Sequence, residues 1–411
     1  MNRYNNIILY IAFISLLLTP AFILPGGIQM AQKVYFVLEG GVLLSIFIVY
    51  ISIIKEYKIP NCNIFCIMFL LTTIIIISNL FNNALLNGSS LLATIRYPLY
   101  FFIVLLFYNL SRIADYYKIE KLCVYFFIIT SVFTIFQCFS IFEPFVKLYT
   151  DGYNSFLGLR VNSIFRYSYL YAVFINFFIG FFFAIYIRDK QKRHLLYILV
   201  LFIFLLLTQS KTAYLSLFFT ISILLLLYLI NENIDISSKL FVSTAIIIFS
   251  CVIIYILFVF FSDKISHVLN FINYINGTAG IDGSTQTRLT QFNTTKYLID
   301  QMGSDILFGL GSNGSGSIIL ENAYLDYVVS YGILGLLCYV CLIFYFIFMG
   351  GGDFRKLLTS YTSPFTIGFL CMSVSLLILA FSSSPTDAYR SSFIIYALVG
   401  VRIYIGVECK K

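Results

Sequence analysis

GLGSNGSGSIILENAYLDYVVSYGILGLLCYVCLIFYFIFM, residues 309–349, changes character midway. Its first part is glycine, serine and asparagine; from residue 322 onward it is almost continuously apolar. A helix needs roughly 20 mainly apolar residues to cross a hydrocarbon core about 30 Å thick, and 322–349 is long enough. The polar part closes a longer insertion, residues 262–321, which separates this run from another apolar run at 240–261. A connection of that length with no announced periodicity is more often functional or disordered than a mere link.

Outward from this stretch the pattern repeats. Of the 411 residues, 60% are apolar and 11% charged, far from a soluble mixture. About twelve runs meet the spanning criterion: 7–25, 34–54, 63–82, 91–110, 121–142, 168–187, 194–209, 212–230, 240–261, 322–349, 363–382 and 389–407. No polar block separates them, so the expectation is one all-α integral membrane domain over 1–411. The run that follows Arg3 resembles a signal peptide, but TPAFILPGG offers no small-x-small cleavage site, and it reads as a retained first span.

The net charge of +8 would suggest nucleic acid in a soluble chain. Here it is a topology signal, because Lys and Arg favour short cytoplasmic loops. With both termini inside, fifteen of the 26 Lys and Arg fall in inner segments, nine in outer ones, and Arg96 and Arg402 within spans. Residues 143–167 and 262–321 then form external loops. The nine cysteines show no disulfide framework or metal spacing. His194, after RDKQKR, reads as a member of a solvated charge run, and His267 has no partner visible in sequence.

Topology pressure acts against the nine outer positives. For Lys33, Lys147, Lys264 and Lys296 simple tolerance is the reading; Arg160, Arg166, Lys211, Arg288 and Arg390 are kept as candidates. Arg160 and Arg166 flank the start of the sixth span, where guanidinium forks suit phosphate oxygens and equally suit lipid headgroup anchoring. TQSK, residues 208–211, interrupts two apolar runs and reads as a tight turn that places Lys211 at the start of a helix, whose free N–H groups attract anions. A plain turn with a snorkelling lysine is the alternative. Arg288 lies in a segment where Leu289, Phe292, Tyr297 and Leu298 are spaced like a short surface helix. The following GLGSNGSG reads as a hinge or a close-approach loop. It lacks the Lys-Ser/Thr of a nucleotide-binding P-loop, and its flanks do not fit a dinucleotide fingerprint. Glu321, Asn322 and Asp326 stand where the tenth span begins, with Asn322 and Asp326 on one helical face. Acids there cap helices, and acids within membranes mark functional sites; Glu321 is the candidate base.

In order along the last two thirds of the chain, Arg160 and Arg166, LLTQSKTAYL, Arg288 before FGLG, and ENAYLDYVVSYGILG resemble the bacterial O-antigen polymerase and O-antigen ligase superfamily. Asn322, Tyr324, Leu325, Gly332 and Gly335 match the family's HNxYLxxLxxxGxxG pattern. The resemblance implies about twelve spans, a GT-C-like architecture and a metal-independent glycosyltransferase of the bacterial inner membrane without a cofactor. Its substrate would be an undecaprenyl-pyrophosphate-linked oligosaccharide, bound by Arg160, Arg166, Lys211, Asn322, Tyr324 and Asp326, with Glu321 and Arg288 in the chemistry. A chain-length regulator protein is the partner such a polymerase would have; no nucleic acid is implied. Two positions depart from the ligase pattern: Glu321 replaces a histidine and Lys211 an arginine. The first favours a polymerase; the second keeps charge but loses bidentate geometry. The alternatives are a ligase and a lipid-linked oligosaccharide flippase, which would carry mid-membrane charges and broken helices. An O-acyltransferase would need a site histidine, and none is well placed.

Overall fold

The computed structural model describes residues 2–19, 28–54, 57–60, 63–82, 88–114, 116–147, 149, 160–230, 244, 283–312, 320, 322–349, 363–387 and 389–408. Every regular element among them is helical: α1 (Asn2–Leu18), α2 (Ile28–Ile54), α3 (Ile64–Phe81), α4 (Gly88–Ile113), α5 (Tyr116–Gln137), α6 (Glu143–Lys147), α7 (Ser168–Asp189), α8 (Arg193–Leu207), α9 (Lys211–Ile230), α10 (Gly283–Met302), α11 (Ala323–Phe348), α12 (Pro364–Leu379) and α13 (Tyr389–Glu408). Six helices, α3, α4, α5, α7, α9 and α11, are long and apolar enough to cross a membrane, and shorter apolar helices occupy 7–18, 37–51, 193–207 and 364–379. The chain is a multi-pass helical membrane protein. The expected run at 240–261, apart from residue 244, lies outside the described residues.

α7 is apolar nearly all round and, enclosed by neighbouring helices, is buried from Leu170 to Ile185. It packs most extensively on α12, and glycine permits the closeness: a Cβ at Gly368 would lie 2.7 Å from the Phe177 carbonyl oxygen, and one at Gly180 would lie 2.6 Å from Cys371 Sγ. Small residues at a crossing let backbones approach where no hydrophobic drive between helices exists. Asn176 adds a polar clamp, donating from Nδ2 to Ser216 Oγ of α9 and Ser375 Oγ of α12, both at 2.9 Å. The surface carries the opposite signature: Phe69 and Phe218 are 75% and 65% exposed, the arrangement of side chains that face lipid.

Short connections make the helices alternate in direction, so the polar contacts sort into two ends. At one, Arg188 forks onto Glu120 (Nη1 to Oε1 2.7 Å, Nη2 to Oε2 3.1 Å), and buried Asn109 exchanges hydrogen bonds with the Lys58 backbone. His194 lies near this end and corrects the sequence expectation: it is buried, with its ring 6.1 Å from and nearly parallel to Phe182. At the opposite end lie the residues that sequence analysis singled out.

Candidate functional site

The centre of that end is a break in α11. At Gly332 the backbone turns to φ 71°, ψ −171°, a region open essentially only to glycine. The break frees carbonyls, and a neighbouring segment takes them: Leu310 N donates to Val329 O at 2.8 Å and Gly311 N to Ser330 O at 3.0 Å. Gly309 (φ 75°) meets the break with no room to spare, since a Cβ there would lie 2.5 Å from Gly332 N. The end of α3 completes the junction. Ser78 Oγ donates to Ser330 O (2.8 Å), Asn79 Oδ1 accepts from Ser312 N (2.8 Å), and Asn82 Nδ2 donates to Gly309 O (3.1 Å). For residues 309–312 the hinge reading therefore gives way to the close-approach reading: these glycines are hydrogen-bonded on two sides. Residues 313–319 lie outside the described part.

The helix that the spacing around Arg288 suggests is present, and it is longer than expected. Residues 283–302 form a helix of 20 residues, α10, followed by a 3₁₀ turn at Gly303–Leu307. Both pack on α11. Leu289, Phe292 and Tyr297 are exposed, whereas Arg288, Thr295, Leu298 and Met302 are turned inward. The first half of α10 thus exposes Leu289 and Phe292 together with Gln286, Thr287 and Thr290, and leaves Arg288 half-buried.

Two cationic segments meet beside this assembly. α8 and α9 are joined by the turn 208–210, with Gln209 at φ 48°, and Lys211 is the first residue of α9. The segment that leads into α7 lies against this turn: Val161 N donates to Leu207 O at 3.0 Å, and Arg160 Nε donates to Thr208 O at 3.3 Å and to Ser168 Oγ at 3.0 Å. Gln137, from the end of α5, fixes the same segment through Oε1, which accepts from Asn162 N and Ser163 N at 2.9 and 2.8 Å. Arg166 stacks over Tyr167, its guanidinium carbon 4.7 Å from the ring centroid. Next to Lys211, Thr212 Oγ1 and Ser382 Oγ lie 3.0 Å apart, and Ala380 O accepts from Ala323 N at 2.9 Å. The segment after α12 therefore ties the lysine turn to the start of α11.

At that start Asn322 is a helix cap, its Oδ1 accepting from Tyr324 N (2.9 Å) and Leu325 N (3.2 Å). Replacing it with alanine is expected to lower stability by about 1 kcal/mol, with serine or aspartate recovering most of it. A melting-temperature series on the three variants checks this, and equal values for Ala and Asp would defeat it. Tyr324 donates to Leu377 O at 2.6 Å. Asp326 accepts from Ser330 Oγ at 3.2 Å, one turn on. Glu321, the candidate base, lies outside the described residues. Arg390 is corrected as a ligand candidate: it is buried and donates to Ile164 O (2.6 Å), Tyr149 O (2.8 Å) and Thr19 O, so it holds backbone together.

The structure adds a charged pair that the sequence reading did not assemble. Arg96 of α4 lies 3.4 Å from Asp387, Nη1 to Oδ1. Tyr327 donates to Asp387 Oδ2 at 2.9 Å, and Tyr97, 3.4 Å from Oδ1, is hydrogen-bonded to the Tyr327 hydroxyl. Arg96 was visible as a charge inside a span, which implies a partner; nothing in the sequence said that the partner stands 291 positions later. No protein-family model matches the chain, and no curated protein is similar to it.

Proposed function

We propose that this protein is a polysaccharide repeat-unit polymerase. It moves a glycan from undecaprenyl pyrophosphate onto a second lipid-linked repeat unit at the non-cytoplasmic face of a bacterial inner membrane. One observation carries the reading: Arg160 and the turn that presents Lys211, far apart in sequence, are hydrogen-bonded together, and Ser382 ties that turn to the start of α11. Positive charge fixed in advance suits a reaction whose leaving group is a pyrophosphate. Arg160, Arg166, Lys211 and Arg288 supply it, Asn322 and Tyr324 line the approach, and a carboxylate takes the proton of the attacking hydroxyl in a single inverting displacement. Sequence analysis names Glu321 for that carboxylate.

Complementing a deletion strain with Arg160→Ala or Arg288→Ala tests this. Each is expected to leave single repeat units on the surface and to cut polymer yield at least about 100-fold, the scale of losing one preorganised charge contact. Unchanged polymer length and yield would sink the proposal.

The transporter reading has an observation of its own. An interrupted helix and an ion pair inside the bundle, here α11 at Gly332 and Arg96 with Asp387, are features that transporters place at their substrate sites. The deletion strain separates the two. A polymerase defect leaves single units at the surface, and a flippase defect leaves none.

A further inference from the structure

Arg96 and Asp387 have no part in the chemistry above, yet they are costly. An ion pair taken out of water often stabilises no better than well-packed apolar residues of the same volume, so packing alone does not call for it. The pair is also not sealed: the side chains of Arg96 and Asp387 are 21% and 9% exposed, whereas Tyr97, Tyr327 and Tyr339 behind them are fully buried. The hydroxyls of Tyr97 and Tyr327 approach the carboxylate from the buried side, and Tyr327 is held in turn by stacking on Tyr339, centroids 4.2 Å apart. Asp387 is thus fixed from behind by phenols and flanked by a guanidinium.

Its position relative to the cationic segments follows from the chain. Residues 380–387 contact the start of α11 through Ala380 and the lysine turn through Ser382, and they end at Asp387. One short segment joins the positive side of the site to this carboxylate. Among the described residues, the other acid facing the pair is Asp326, which lies in the electrostatic field of both Arg96 and Asp387.

We infer that Asp387 is the carboxylate that receives the acceptor sugar hydroxyl, with Arg96, Tyr97 and Tyr327 positioning it; this rests on the polymerase reading and moves the base role from Glu321. In the step, the hydroxyl oxygen bonds to the donor's anomeric carbon and its proton passes to Asp387. The bond from that carbon to the pyrophosphate oxygen breaks, and undecaprenyl pyrophosphate leaves with the electron pair.

The experiment uses the full chain in a deletion strain, with surface glycan measured per amount of protein in the membrane. Asp387→Asn is expected to lower polymer at least about 100-fold, Asp387→Glu to restore part of it, and Gly41→Ala, where a new Cβ meets nothing within 4 Å, to retain it. Should Asp387→Asn fail to accumulate because Arg96 is left unpaired, the doubly neutral Arg96→Gln/Asp387→Asn variant leaves no lone buried charge and is read instead. The exchange Arg96→Asp/Asp387→Arg keeps the pair but moves the carboxylate, so it is expected to accumulate without making polymer. Wild-type polymer from either double variant would show a structural pair only and overturn the inference, as would wild-type polymer from Asp387→Asn. A deletion strain with no single repeat units at its surface would overturn the polymerase reading instead, whatever the variants do.

Discussion

Arg390→Gln is expected to destabilise the protein by about 3–6 kcal/mol, the scale of losing two or more hydrogen bonds from a charged group. The guanidinium bonds to the carbonyls of Thr19 after α1, Tyr149 after α6 and Ile164 before α7. Thr19 stands far from the other two in the chain, and without the arginine each oxygen has one partner fewer. Buried Glu39 adds to the cost, because the positive charge of Arg390 acts on it alongside the hydroxyls of Thr19 and Ser15. Lysine is expected to rescue little, since one ammonium on a flexible stem does not reproduce the planar fork. The measurement is the apparent melting temperature of detergent-solubilised protein together with its abundance in membranes. A wild-type value for Arg390→Gln would show that these contacts are dispensable.

Gly332→Ala is expected to cost about 2–6 kcal/mol, from two sources. A residue with a Cβ held in this backbone region is strained by about 1–3 kcal/mol, and forced overlap adds about 1–3 kcal/mol. The overlap has no easy relief, because the new Cβ would stand 2.3 Å from Leu307 O and 2.6 Å from Phe308 N, both backbone atoms. The segment around Gly309 would have to leave, and with it the bonds to Val329 O and Ser330 O. The control is Gly41→Ala, where a Cβ meets nothing within 4 Å. There the protein is expected to hold or to gain up to about 1 kcal/mol from helix propensity. Equal melting temperatures for the two variants would mean that the junction is not built as described.

The site was unevenly legible in the sequence. TQSK could be read as a turn with Lys211 opening a helix, because an apolar run too long for one bilayer, interrupted by polar residues, has few other solutions. Asn322 was read at the start of a span, and its role as a cap follows from the residue type. The glycine-rich segment misled: glycine signals both freedom and close approach, and only the partner, here the break at Gly332, tells which. His194 misled for a related reason, since its charged neighbours suggested solvent while the facing Phe182 and Tyr197 set its burial.

By itself the sequence determined that the chain is helical and lives in a membrane, because long apolar runs leave backbone groups no partner in lipid except those of their own helix. It also located the turns where charge collects. Tertiary structure alone decided which of those turns touch, that Arg390 is a fastener, that the glycine segment docks into a broken helix, and that Arg96 finds Asp387. Each of these depends on a partner far away in the chain. Hydropathy records how much of a residue is apolar, and it carries no information about which distant group satisfies a buried charge or an open carbonyl.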